Sequence, residues 1–222
     1  AIDTKDITKK DLYLARMETE LTRMEDMTTA FLEYAGMERQ GFHLKYELVD
    51  IDHFLHTIND DFQSLAEQHK VKLSYQASPA FINQKVTLSL DFHWCYRAIQ
   101  NLLSNAMQYA NNTVVISAYC QHNFLHISVE DDGKGIPEEN IENIFAPFVK
   151  LDVDRSRELG HFGLGLAISA KVVHWHNGSI HASNILTTND KSSVKTSKQV
   201  NKNATITGAC FTISLPLQTE KN

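Results

Sequence analysis

The chain has no excess of positive charge. Lys and Arg number 21 against 27 Asp and Glu, a formal net charge of -6, so no broad basic face for nucleic acid is expected. No apolar run approaches the roughly 18–20 residues that span a bilayer, and no charged-then-apolar leader opens the chain. Cysteine is scarce. Cys95, Cys120 and Cys210 are odd in number, far apart and in apolar company. They read as reduced core residues in a cytosolic setting, not as a disulfide framework. A zinc site needs clustered ligands, which they do not offer, and the 11 histidines are scattered without metal spacing. What remains is ordinary globular composition, 42% hydrophobic and 22% charged over 222 residues, enough for one core with a small extra module. The first residue is Ala1 and not Met, so a piece of a longer protein is expected.

Residues 12–35 carry a heptad pattern. Leu14, Met17, Leu21, Met24, Thr28, Phe31 and Ala35 alternate spacings of three and four, an a/d seam with one polar Thr. Such a helix wants partner helices in a bundle, or else packs as one amphipathic helix on its own domain. Beyond Gly36 and Gly41 the composition is mixed. Asp52 to Val71 reads as one helix with Asp50 or Asp52 as N-cap, Lys72 to Gln76 as a strand, and Asp91 to Tyr109 as a second long helix. Thr113 to Cys120 and Phe124 to Glu130 alternate and read as a hairpin. Glu138 to Ile144 reads as a short helix. Gly163 to His176 reads as a helix closed by Asn177-Gly178, and Ser179 to Ser183 and Cys210 to Leu215 as strands. Asn184 to Gly208, rich in Thr, Ser, Asn and Lys, reads as an extended loop. The order implies a bundle helix, a linker and an α/β layer domain with helices on one sheet face.

Four segments carry chemistry. Asn101 and Asn105 lie four apart and face one way on a helix. An amide oxygen is a neutral hard ligand, suited to a magnesium that also binds phosphate oxygens and water; alone, such a pair is more often two surface amides. Asp131-Asp-Gly133-Lys-Gly135 directly follows an apolar strand. A carboxylate there can accept a hydrogen bond from an exocyclic amine such as adenine N6, and the glycines let the backbone approach the base. Alone it is an Asp-Gly turn. A calcium loop is excluded, because acids fail to recur at the alternating positions after Asp132. Phe145-Ala-Pro-Phe148 follows. Gly160-His-Phe-Gly163-Leu-Gly165 then opens a helix whose N-terminal amides favour phosphate. Neither a dinucleotide-binding βαβ unit nor a P-loop Gly-Lys-Ser/Thr surrounds it. Arg155 and Arg157 precede the turn, as a phosphate clamp or a solvated charged loop. In this order the segments describe a site for ATP and magnesium.

Together they resemble the catalytic ATP-binding domain of bacterial sensor histidine kinases, in the superfamily shared with gyrase B, Hsp90 and MutL, over Val49 to Leu217. The N box is Asn101 to Asn105 with Tyr109. The G1 box is Asp131, Gly133 and Gly135, the F box Phe145 to Phe148, and the G2 box Gly163 and Gly165. Phe148 to Arg157 looks most like the RstB-type kinases. The resemblance implies a two-layer α/β sandwich of the histidine kinase, gyrase B and Hsp90 ATPase type, preceded by a bundle helix. Residues 1–41 would be the second helix of a dimerisation and phosphotransfer hairpin, and 42–222 the catalytic domain. The first helix should carry His-Glu-x-x-Thr-Pro; no histidine here has that context, so the phosphoacceptor is expected upstream of this sequence.

By the same resemblance, Asp131 would read adenine N6, and Asn105 with Asn101 would hold Mg2+. Arg157 would stabilise charge during phosphoryl transfer. Tyr109, Gly133, Gly135, Ile136, Phe148, Lys150, Gly163, Leu164, Gly165 and Leu166 would contact ATP, with residues 148–162 as a lid. Phosphate would pass to the receiver domain of a response regulator. The protein would be a homodimer, with this stretch the cytoplasmic portion of an inner-membrane sensor. Two positions depart from the pattern: Gln108 replaces the usual Lys or Arg, and His161 the usual Gly two before Gly163. A gyrase-like or chaperone-like ATPase, and a non-catalytic or phosphatase-biased adaptor of the same fold, are the rival readings.

Overall fold

The computed structural model describes residues 4–37, 39, 42–150, 162–188 and 204–217. Helix α1 (Thr4–Gly36) comes first, and residues 42–46 ahead of the first strand have no regular structure. Then follow β1 (Glu47–Asp50), α2 (Ile51–Asp61), α3 (Gln63–His69), β2 (Lys72–Ala77), α4 (Pro79–Gln84), β3 (Thr87–Leu90) and α5 (Phe92–Tyr109). The rest is β4 (Thr113–Gln121), β5 (Phe124–Asp131), a 3₁₀ turn (Glu138–Asn140), α6 (Gly165–Trp175), β6 (Ser179–Thr188) and β7 (Ala204–Pro216). The main sheet has the order β2-β4-β5-β7-β6 and is antiparallel except for the β2–β4 pair; β1 and β3 form a separate antiparallel pair.

Strand periodicity decides what lies under the helices. Ala118, Ile127 and Ile213 are aligned across β4, β5 and β7, as are Ile116, Val129 and Phe211. All six are buried, on the face covered by α2, α5 and α6. The next row of the same parity is Val114, Asp131 and Ala209. A carboxylate therefore sits at the end of a hydrophobic row, on the core side of the sheet. The opposite face carries Tyr119 stacked on His126 and the Ser128–Thr212 hydroxyl pair.

Local chemistry sets the element ends. The Asp50 side chain accepts from the His53 N–H to cap α2, and Asp91 accepts from the Trp94 N–H to cap α5. Asn177, with φ of 57°, closes α6 while the Gly178 N–H reaches the Val173 carbonyl. The hairpin turns on His122 and Asn123, both left-handed.

Several expectations are corrected. The helix expected over Asp52 to Val71 is two, α2 and α3, meeting at Phe62 after the poor helix formers Asn59-Asp60-Asp61. The helix expected over Glu138 to Ile144 is a 3₁₀ turn followed by non-helical turns. Most of the described part of the expected loop from Asn184 to Gly208 is strand. There β6 and β7 pair as far as Thr188 and Ala204 around one bulge between Ile185 and Leu186, because the β-branched residues on both sides outweigh the polar composition. Strands β1 and β3 and helix α4, which starts at Ser78-Pro79 with a Ser78 cap on the Phe81 N–H, were not anticipated. Leu14, Met17, Leu21, Met24 and Phe31 of the heptad seam on α1 are exposed.

Candidate nucleotide site

A cavity of about 370 Å³ opens between α5, α6 and the end of β5. Arg97, Asn101, Asn105 and Gln108 all line it. Their spacings of four, four and three put them on one stripe of α5. The neighbouring stripe, with Ala98, Leu102 and Ala106, is buried in the core and fixes the helix.

Each amide of the stripe has a different setting. Asn101 Nδ2 donates to the Gly165 carbonyl at 3.1 Å, which leaves its Oδ1 as the acceptor for a ligand. Asn105 faces the same cavity. Gln108 is only 6% exposed, and its Nε2 has no hydrogen-bond partner among the described residues. An orphaned buried donor costs about 1–3 kcal/mol, so this amide is suited to an acceptor that arrives with a ligand.

At the other wall lies Asp131, 3% exposed. Its Oδ1 accepts from the Gly133 N–H at 2.9 Å and the Ala209 N–H at 3.4 Å. No described residue donates to its Oδ2. Burial pushes the Asp131 carboxyl above its ordinary value, the two backbone donors offset part of that, and the neighbouring Asp132 charge adds to the rise. Asp132 has another task. Its Oδ1 accepts the N–H groups of Asn111, Asn112 and Thr113. Burial alone would raise its pKa, but these donors outweigh it and the carboxyl is held low. Thus Asp132 ties the turn after α5, and Asp131 faces the cavity. Gly133 does not line the cavity. It sits behind it, where a Cβ would strike the Tyr109 carbonyl and the Asp131 carboxylate.

The glycine turn before α6 completes the wall. Gly163 has φ of 73°, a left-handed backbone that disfavours any side chain, and its carbonyl accepts from the Phe148 N–H. The α6 N-terminus at Gly165 lies against Asn101, so backbone donors and amide oxygens meet at one end of the cavity. Tyr109, Gly135, Ile136, Lys150, Leu164 and Leu166 also line the cavity. Phe148 does not; it is 58% exposed. Arg157 and His161 lie outside the described residues.

Five residues of the site were not read from the sequence. Thr29 and Ala30 of α1 line the cavity, as do Arg97 and Lys134. Lys134 Nζ stands 5.8 Å from the Tyr109 ring centroid. Asn184 clamps the Asp131 loop from β6: its Oδ1 accepts from the Ile136 N–H at 2.7 Å and its Nδ2 donates to the Ile136 carbonyl at 2.7 Å. Only the expectation of a loop there concealed it.

Among the described residues no three His, Cys, Asp or Glu side chains gather as a metal site. The donors present, neutral amide oxygens beside a helix N-terminus, fit a magnesium that comes with phosphate oxygens and water.

Residues 90–219 match the model of the Histidine kinase-, DNA gyrase B-, and HSP90-like ATPase family. Among curated proteins, the chain is 30% identical to the Sensor histidine kinase WalK of Bacillus subtilis over 189 residues, 83% of this chain and 30% of that protein. It is 32% identical to the Sensor protein RstB of Escherichia coli over 165 residues, 74% of this chain and 37% of that protein. The chain thus spans about a third of these relatives. Its fold is similar to that of full-length ShkA solved with AMPPNP (TM-score 0.72, 18% identity, 95% of this chain and 39% of that one). It is also similar to Acinetobacter baumannii AdeS (TM-score 0.61, 21% identity, 96% of this chain and 85% of that one). A third likeness is ThkA in complex with the response regulator TrrA (TM-score 0.68, 20% identity, 100% of this chain and 55% of that one). With the family model covering more than half of its length and named sensor kinases among its relatives, the chain belongs to the histidine kinase-, DNA gyrase B- and HSP90-like ATPase family.

Proposed function

We propose that this chain is the ATP-binding catalytic region of a two-component sensor histidine kinase. The observation that carries the reading is the pairing, in one cavity, of a buried carboxylate with a stripe of amides that meets a glycine-opened helix N-terminus. Asp131 Oδ2 accepts the exocyclic amine of adenine, and Ile136 packs on the base. The amide oxygens of Asn105 and Asn101 would hold Mg2+, which would supply positive charge at the phosphate end of the nucleotide. Backbone donors at Gly163 to Gly165, with Lys150 and Arg157, hold the phosphates. The nucleophile is a histidine upstream of this sequence, so this region positions and neutralises the transferred group and does not attack it.

In this reading residues 1–41 belong to the dimerisation hairpin and 42–222 to the catalytic domain. The exposed Leu21, Met24 and Phe31 of α1 suit a second protomer, and the phosphoryl group goes on to an aspartate of a response regulator. The kinship with RstB and WalK, and the solved complex of ThkA with TrrA, support that assignment. Among the described residues no helix is long and apolar enough to cross a membrane.

Two measurements test this. Calorimetric titration of this chain should detect ATP and ADP with Mg2+ at millimolar nucleotide or below; a folded chain that binds neither is not such a region. A longer chain carrying the upstream helix should form acid-labile phosphohistidine from labelled ATP. Binding without any phosphotransfer would favour the adaptor.

A further inference from the structure

The stripe on α5 begins with a cation that is committed elsewhere. Arg97 stands about one helical turn before Asn101, about 6 Å along the axis, and lines the same cavity. It lies at the end where Asn101 meets Gly165, beside Thr29 and Ala30 of α1. Yet its guanidinium is occupied. Nε and Nη2 both donate to Glu33 Oε2, at 3.2 and 3.0 Å, and Nη1 donates to Gln100 Oε1 at 2.9 Å. Of the two ion pairs among the described residues, one lies within α1 and only Glu33–Arg97 joins two elements.

The proposal rests on the nucleotide-site reading. We propose that Arg97 is a phosphate-end cation of this site held back by Glu33, so that docking of α1 and binding of a nucleoside triphosphate compete for one guanidinium. Three features support competition over simple scaffolding. The pair is only partly buried, with side-chain exposures of 27% and 25%, so a group of higher charge can displace the carboxylate. Guanidinium binds phosphate oxygens as well as it binds carboxylate. And α1, through Tyr34, and the segment that follows it, through Phe42 and Lys45, have other ties to the body that survive loss of this pair. Lys171 Nζ lies over the rings of Tyr34 and Trp175, and Phe42 stacks on Trp175 with its ring centroid 4.4 Å away. The Lys45 N–H reaches Asp91. Glu33 is thus a positioning residue, acting through Arg97. A terminal phosphate reaches further toward Arg97 than the diphosphate does, so the coupling distinguishes ATP from ADP. Linkage makes it reciprocal: ATP loosens the last turns of α1, and a released α1 strengthens ATP binding.

The experiment is a calorimetric double-mutant cycle with Mg-ATP and Mg-ADP on the wild type, Glu33→Gln, Arg97→Gln and the double variant, each checked for fold by circular dichroism. Glu33→Gln should tighten Mg-ATP by about fivefold or more, and Mg-ADP by less than about twofold. Arg97→Gln should weaken Mg-ATP more than Mg-ADP, and adding Glu33→Gln to it should change neither. Hydrogen exchange at residues 27–36 should quicken with ATP and not with ADP. Equal changes for both nucleotides, no change, or an undiminished Glu33→Gln effect without Arg97 would overturn the competition while leaving the site intact. A wild type that binds neither nucleotide would overturn the site reading and this inference together.

Discussion

Replacing Asp131 with Asn is the sharpest perturbation of the proposed site. The two side chains have the same shape, and the pocket gives the substitution one favoured orientation. The Asp131 oxygen that accepts from Gly133 at 2.9 Å and Ala209 at 3.4 Å must stay an oxygen. In Asp131→Asn the amide NH2 therefore takes the place of Oδ2. An acceptor toward the cavity becomes a donor, and adenine N6 meets a donor instead of a carboxylate. Loss of one hydrogen bond to a charged group costs about 1.5–3 kcal/mol, or roughly 10- to 150-fold in affinity. The fold should not suffer, because the variant removes a buried charge from a residue 3% exposed. Guanine presents an acceptor at the corresponding edge, so the ATP preference over GTP should shrink or reverse. Calorimetric titration with both nucleotides, beside a thermal melt, reads all three quantities. A variant that melts like the wild type, binds ATP as tightly and keeps its ATP preference would refute the role given to this carboxylate.

Three further outcomes are expected. Burial raises the Asp131 carboxyl in the free chain, and adenine N6 requires its ionised form; binding then releases a proton, so ATP affinity falls as pH drops through that raised pKa and levels off above it. The dependence should vanish in Asp131→Asn over the range above about pH 4 where ordinary carboxylates stay ionised, and identical pH profiles would refute the assignment. Gln108→Met removes the orphaned Nε2 and should stabilise the free chain by about 1 kcal/mol while weakening nucleotide binding; denaturant unfolding beside titration checks both. Asn184→Ala breaks both hydrogen bonds to Ile136, with an expected loss of about 1–3 kcal/mol in unfolding free energy and weaker ATP binding at unchanged magnesium dependence.

Much of the site was legible because its signals are local. Asn101 and Asn105 share a face through helical spacing alone. Asp131 reaches the core side of the sheet because it keeps the parity of Leu125, Ile127 and Val129. The glycine turn before α6 announces itself by composition. Other parts were misread where local signals conflict. The polar content of Asn184 to Gly208 hid the outer halves of β6 and β7, and with them the clamp that Asn184 supplies. A continuous apolar pattern over Asp52 to Val71 hid the break at Phe62. Phe148 sits in the expected segment, but its left-handed backbone turns it to solvent.

The sequence alone determined the family resemblance, the stripe of amides, the identity of the carboxylate and the heptad seam of α1, since each follows from spacing within one element. Only the tertiary structure decided that Gln108 is buried without a partner among the described residues and that Thr29 and Ala30 wall the cavity. It alone also decided that Glu33 holds Arg97, 64 positions away. These facts depend on how separate elements pack against one another, and periodicity within an element carries no record of that packing.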